Sequence, residues 1–246
     1  VGTYSHEIGH SVGLPHSGWV YYDYDSPWDM MSDGDGYNPM SCGSYFSRNA
    51  LSQRTIYCYT PADTIAPYKD MLGWIDSSHS LTVTPGSTVA AKLDSLAAPL
   101  LATSYKMIKL CITGYSCVSG GSTSRYLAIE ARTHYGYDQY VPGEGVIIHM
   151  FQGDRQIMSG SCFYVSDSPP AYPIDSTSGD WDSDCSSGGR SYPDYALFNA
   201  QWEVGQSYSD PSILGNNAIS ITSQSGSSPS PVTYVVTISS PVFDSP

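Results

Sequence analysis

The sequence predicts an α+β chain in which a helix- and loop-rich segment, residues 1–76, precedes an antiparallel β-sandwich, residues 77–246. Two observations carry this reading. From about residue 77 the chain breaks into short β-branched or alternating runs separated by Gly, Ser and Pro, the texture of a sandwich or barrel. Before that point the only regular patterns are helical and short, and they flank a long stretch without periodicity.

The elements follow in order. Residues 1–14 (VGTYSHEIGHSVGL) predict a helix that stops at Gly13. Residues 15–65 are rich in Gly, Pro, Asp, Ser and Tyr and read as an irregular segment of a length usually tied to function. Residues 66–74 (APYKDMLGW) predict a short helix ended by Gly73. The strand candidates are LTVTPGSTV, YKMIKLCITG, RYLAIEART, GEGVIIHMF, AISITSQSG and VTYVVTISS. Residues 223–231 (SQSGSSPSP) read as a hairpin loop, because a good strand follows.

Composition narrows the function classes. The chain has 246 residues, 10 Lys and Arg against 23 Asp and Glu, and a formal net charge of -13. Nucleic-acid binding and anionic membrane surfaces both require the opposite balance. Charged residues make up 13%, about half the share in an ordinary soluble domain, and Ser, Gly, Tyr and Pro fill the gap. No apolar run approaches the roughly 20 residues that span a bilayer. The start at Val1, without Met or a leader, reads as a processed product or a fragment.

Six cysteines stand at 42, 58, 111, 117, 162 and 185, with no CxxC pattern. An even count in a hydroxyl-rich chain points to disulfides and an extracellular setting. Of the 15 pairings that six cysteines permit, the local one is expected: Cys42–Cys58, Cys111–Cys117 and Cys162–Cys185.

The sharpest chemical signal is His6-Glu7-Ile8-Gly9-His10-Ser11-Val12-Gly13-Leu14-Pro15-His16. Residues four apart lie on one helical face, so His6 and His10 present two imidazoles to one ion. Gly13 lets the backbone leave the helix and return His16 to the same ion. Three neutral imidazoles with one open position are the donor set of a catalytic zinc site. Glu7, one residue past His6, is the candidate general base, taking a proton from water and passing it to the leaving amine.

This HExxHxxGxxH pattern is the metzincin signature. The chain also resembles the secreted metallopeptidases similar to immune inhibitor A. Trp28-Asp29-Met30-Met31-Ser32 matches their W-x-x-M-S segment, which implies that Met31 is the Met-turn residue beneath the zinc ligands, with Met30 the alternative. Ala66 to Trp74 resembles the short helix that closes their catalytic domain. Tyr126 to Arg132, Gly136-Tyr137-Asp138, Pro142 to His149 and Ala200 to Gln206 resemble the β-domain that follows. The resemblance implies that 1–76 is the C-terminal half of a metzincin catalytic domain, with active-site helix, Met-turn and closing helix, and that 77–246 is its β-sandwich.

It also implies a secreted zinc metalloendopeptidase that acts on protein or peptide substrates. Two positions depart from the pattern. His16 stands where close relatives of immune inhibitor A have an acidic residue after Gly-Leu-Pro, which moves the chain toward the general metzincin pattern, with gametolysin-like peptidases the alternative nearer kin. Asp33 stands where several metzincins have a Tyr that stabilises the oxyanion. Only five residues precede His6, whereas metzincins form the upper lip of the cleft upstream of this motif. An upstream chain fragment is therefore an expected partner, and an extracellular polysaccharide or matrix polymer is another. The competing expectation is a structural or adhesive extracellular protein derived from such an enzyme.

The remaining candidates carry plainer readings. His79, His134 and His149 lie in β-textured regions without partner spacing and are not expected to be ligands. Asp23, Asp25, Asp33 and Asp35, and Asp175, Asp180, Asp182 and Asp184, form two loop clusters whose default is solvation. Calcium is the ligand they would take. No N-x-S/T sequon is present, so N-glycosylation is not expected.

Overall fold

The computed structural model describes residues 2–18, 26–32, 62–101, 103–138, 141–155, 170–174, 200–215, 217–228 and 230–239. Among them are three α-helices, α1 (Gly2–Ser11), α2 (Ala66–Met71) and α3 (Pro211–Leu214). Nine strands follow the first two helices: β1 (Ser80–Val83), β2 (Val89–Asp94), β3 (Met107–Cys111), β4 (Arg125–Arg132), β5 (Gly145–Gln152), β6 (Ala171–Pro173), β7 (Ser207–Tyr208), β8 (Ala218–Ser225) and β9 (Thr233–Ser239). The chain is thus mixed α+β and dominated by two sheets. One has the order β1-β3-β4-β5-β6 and the other β2-β9-β8-β7.

One pairing departs from the all-antiparallel expectation. β1 and β3 run parallel, with Ser80 opposite Met107 and Val83 opposite Leu110. The cause lies in β2, which leaves for the other sheet and pairs with β9. The chain then re-enters the first sheet beside β1 and in its direction. The other ladders are antiparallel, and β8 and β9 form the hairpin expected around residues 223–231, with a register shift between Ile221 and Ser223. Strands β6 and β7 and helix α3 are additions to the predicted elements, at two to four residues each.

Strand alternation sorts the core into two layers. On β4, Leu127, Ile129 and Ala131 point one way; on β5, Val146, Ile148 and Met150 do the same. They meet Ile219 and Ile221 of β8 and Tyr234, Val236 and Ile238 of β9 in the core between the sheets. The alternate residues Tyr126, Ala128 and Phe151 face the opposite way. They pack with Leu14, Met31, Ile65, Ala66 and Tyr68 in a second core. The central strands β4 and β5 are therefore covered on both faces, which explains why nearly every one of their residues is buried. Residues on both sides of position 76 share this second core.

The helix-covered face of β4 and β5, the one bearing Tyr126, Ala128 and Phe151, also carries charge. Arg132 is wholly buried and donates to Glu130 Oε1 at 2.9 Å, to Asp138 Oδ1 at 2.6 Å and to the Asp63 carbonyl at 2.9 Å. Glu130 also accepts from the Ala66 amide and lies 3.3 Å from His149 Nε2. Asp63 N donates to Asp138 at 3.0 Å. These bonds clamp residues 63–66, the entry to α2, onto the sheet. A further pair, Lys109 with Asp70 at 2.5 Å, holds α2 from the neighbouring strand.

Cys111 and Cys117 form a disulfide, as expected, bridging the end of β3 to the following turn with a Cα–Cα distance of 5.4 Å. Cys42, Cys58, Cys162 and Cys185 lie outside the described residues, as do both aspartate clusters. No helix among the described residues is long and apolar enough to cross a membrane.

Candidate metal centre

Helix α1 places His6 and His10 one turn apart, and the ring centroids lie 4.7 Å from one another. The helix ends at Ser11, two residues before the predicted stop. Gly13 then adopts φ +92°, a conformation that side chains resist, and its amide bonds back to the His10 carbonyl at 3.0 Å. Leu14 N returns to the Gly9 carbonyl at 3.0 Å, which folds the chain back under the helix. His16 arrives beside the helical pair. His10 Nε2 lies 3.0 Å from His6 Nε2 and 3.1 Å from His16 Nε2.

Hydrogen bonds fix the tautomers of two rings. His6 Nδ1 faces the Met30 carbonyl at 2.9 Å, and His10 Nδ1 faces the Leu14 carbonyl at 2.9 Å. A carbonyl only accepts, so each Nδ1 carries the proton and each neutral ring turns an Nε2 lone pair inward. Two lone pairs 3.0 Å apart repel unless a cation lies between them. A tetrahedral zinc with N ligands at about 2.0–2.1 Å separates those ligands by about 3.3–3.4 Å, close to the distances seen. The donor set, three neutral imidazoles with backbone carbonyls behind two of them, fits zinc. Among the described residues, these three are the one group of His, Cys, Asp and Glu side chains gathered closely enough to hold an ion.

Glu7 is exposed, about 100° around α1 from His6, and Ser11 Oγ donates to its backbone carbonyl. Met31 is fully buried, and its thioether sulfur lies where a Cβ on Gly9 would be. Gly9 stands between the two helical histidines, so Met31 supports the backbone that carries both rings. Met30 is only half-buried and supplies the carbonyl that orients His6. Trp28 is fully buried and packs with Val141, Ile147 and Ala200.

Two residues near the centre were not singled out by spacing. Asp29 is 1% exposed and accepts from Ser17 Oγ at 2.5 Å and from Thr64 Oγ1 at 2.9 Å. Burial pushes its carboxyl above the usual range, against the opposing hydrogen bonds of Ser17, Met31 and Thr64. Tyr68 is fully buried and donates to the His16 carbonyl at 2.5 Å. An acid inside an otherwise apolar W-x-x-M segment was the signal for the first. No sequence signal marks the second.

The other histidines have separate surroundings. His79 Nδ1 pairs with Asp76 at 2.8 Å on the surface, His134 Nε2 bonds the Val141 carbonyl at 3.0 Å, and His149 belongs to the Glu130 cluster. Comparison of the chain with protein-family models, curated proteins and solved structures finds no match.

Proposed function

We propose that the chain is the zinc-binding part of a secreted metalloendopeptidase of metzincin type that hydrolyses extracellular proteins. In this reading residues 1–76 are the C-terminal half of the catalytic domain and the sandwich supports it. The observation that carries the reading is the convergence of the His6, His10 and His16 Nε2 atoms, with the lone pairs of His6 and His10 turned inward. The buried Met31 against Gly9 supports the Met-turn assignment.

Held by these nitrogens, a zinc ion would supply Lewis acidity toward a peptide carbonyl and a water. The residues of this chain do the rest. Met30 and Leu14 carbonyls hold the His6 and His10 rings in their ligating tautomer. Glu7 removes a proton from water and delivers it to the departing amine. The exposed Tyr4 and Ile8 on α1, with Val12 in the turn just after it, fit a further polypeptide layer over the helix, the place for an upstream fragment.

The test is metal content and hydrolysis of an unfolded protein substrate by the chain together with its upstream segment. One zinc per chain and a hydrolysis abolished by chelator support the reading. Zinc without hydrolysis favours the structural or adhesive alternative. No zinc overturns both the metal centre and the enzyme.

A further inference from the structure

His6 and His10 are placed by helix geometry. His16 lies outside the helix, so its position depends on how the backbone of residues 14–18 is held. Besides the bonds at Leu14 and the one from Arg155 Nη1 to the Gly18 carbonyl at 2.9 Å, four contacts hold it. Tyr68 Oη donates to the His16 carbonyl, and Ser17 N donates to the Met31 carbonyl at 3.3 Å. Gly18 N donates to the Ala171 carbonyl at 3.0 Å, extending β6 by one bridge. The fourth is the bond from Ser17 Oγ to Asp29 Oδ2 at 2.5 Å.

That fourth contact differs in kind. Asp29 sits in the turn that carries Met31, and its second oxygen accepts from Thr64 Oγ1 at 2.9 Å and from Ile65 N at 3.4 Å. One buried carboxylate thus joins three chain segments: the one bearing His16, the one bearing Met31, and the entry to α2. This bond is shielded from water, so losing either partner would leave a buried polar group unsatisfied. The serine hydroxyl is one residue from the ring it controls.

We propose that Asp29 is a positioning residue for the third ligand, fixing the His16 ring by holding the hydroxyl of Ser17. The inference rests on the zinc reading for its consequence, metal affinity, and on the fold alone for its geometry. It gives the turn a second task besides presenting Met31. The carboxylate sets where the third nitrogen stands, and so how tightly the ion is held.

The experiment compares Ser17→Ala, Asp29→Asn and Thr64→Ala in the full chain. Zinc affinity is read by competition with a chromogenic chelator, melting temperature by circular dichroism, and the His ring nitrogens of the metal-free protein by ¹⁵N NMR. Ser17→Ala and Asp29→Asn should weaken zinc about tenfold, the lower end of the effect of outer-shell partners. Thr64→Ala removes a bond to the same carboxylate on the side away from His16. It should lower the melting temperature while changing affinity less than twofold. In metal-free Ser17→Ala the His16 ring signals should move while those of His6 and His10 stay. Equal affinity losses in Ser17→Ala and Thr64→Ala would show general destabilisation and overturn the proposal. So would unmoved His16 signals. If Asp29→Asn does not fold, Ser17→Ala decides alone. Failure of the wild type to bind zinc would sink the metal reading, and the ring signals would still decide the positioning role.

Discussion

The sulfur of Met31 fills the space that a side chain on Gly9 would need, directly before His10 on α1. The helix can approach the turn this closely only because position 9 has no Cβ. Gly9→Ala should therefore push helix and turn apart. Overpacking of this kind costs about 1–3 kcal/mol, more than the small gain in helix propensity that alanine brings. Urea denaturation should show the loss. A Met31→Ala partner mutation should recover part of it, and a purely additive double mutant would refute the contact.

Glu7→Gln keeps size and removes the base. With the upstream segment present, hydrolysis should fall by about 10² to 10⁴ while zinc content stays at the wild-type level. His10→Ala should lose zinc and activity together, since His10 Nε2 lies against both other nitrogens. A Glu7→Gln protein that lost its zinc would assign Glu7 to binding and not to proton transfer.

Glu130 should shape the acid limb of the stability curve. Burial raises its carboxyl, but His149, Arg132 and the Ala66 amide outweigh burial and bring it down to about 2 from 4.5. A carboxyl lowered in the folded state adds stability above the unfolded value, and that contribution fades as pH falls from about 4.5 toward 2. The full difference amounts to about 3 kcal/mol. Urea midpoints measured across that range should fall steeply for wild type and less steeply for Glu130→Gln. At pH 7 Glu130→Gln should already be destabilised, because buried Arg132 loses one of its two carboxylate partners. Parallel acid limbs would remove Glu130 from the account.

The Cys111–Cys117 bridge closes a loop of sequence separation 6. A loop this short restrains the unfolded chain by about 2 kcal/mol. The Cys111→Ser, Cys117→Ser double variant should lose about that much and keep its zinc, since the bridge lies at the end of β3 and not beside α1. Loss of metal from this variant would show that the two regions are coupled more tightly than their contacts suggest.

What the sequence revealed follows the range of each interaction. The His6–His10–His16 spacing was legible because a helix turn and a glycine act over eleven residues. The strands that align with β3, β4, β5, β8 and β9 were legible because each carries its own alternation. The parallel pairing of β1 with β3 was not, because it depends on β2 choosing the other sheet. The Glu130–Arg132 pair lay in view, two residues apart on one strand and so on one face. Its partners Asp138, His149 and Ala66 appear only once the register of β4 and β5 is known. Asp29 sits near the motif in sequence, yet Thr64 reaches it from 35 residues away.

The double coverage of β4 and β5 has a consequence for the order in which the molecule is made. Helix α1 and its histidines leave the ribosome before the floor they rest on, which includes Tyr126, Ala128 and Phe151, more than a hundred residues later. Domains mature as units during synthesis, and a layer cannot dock before its platform exists. The histidine cluster is therefore assembled late, after the strands that follow it have paired. A nascent chain truncated before β5 would carry the whole HExxHxxGxxH motif without the surface that holds it in shape.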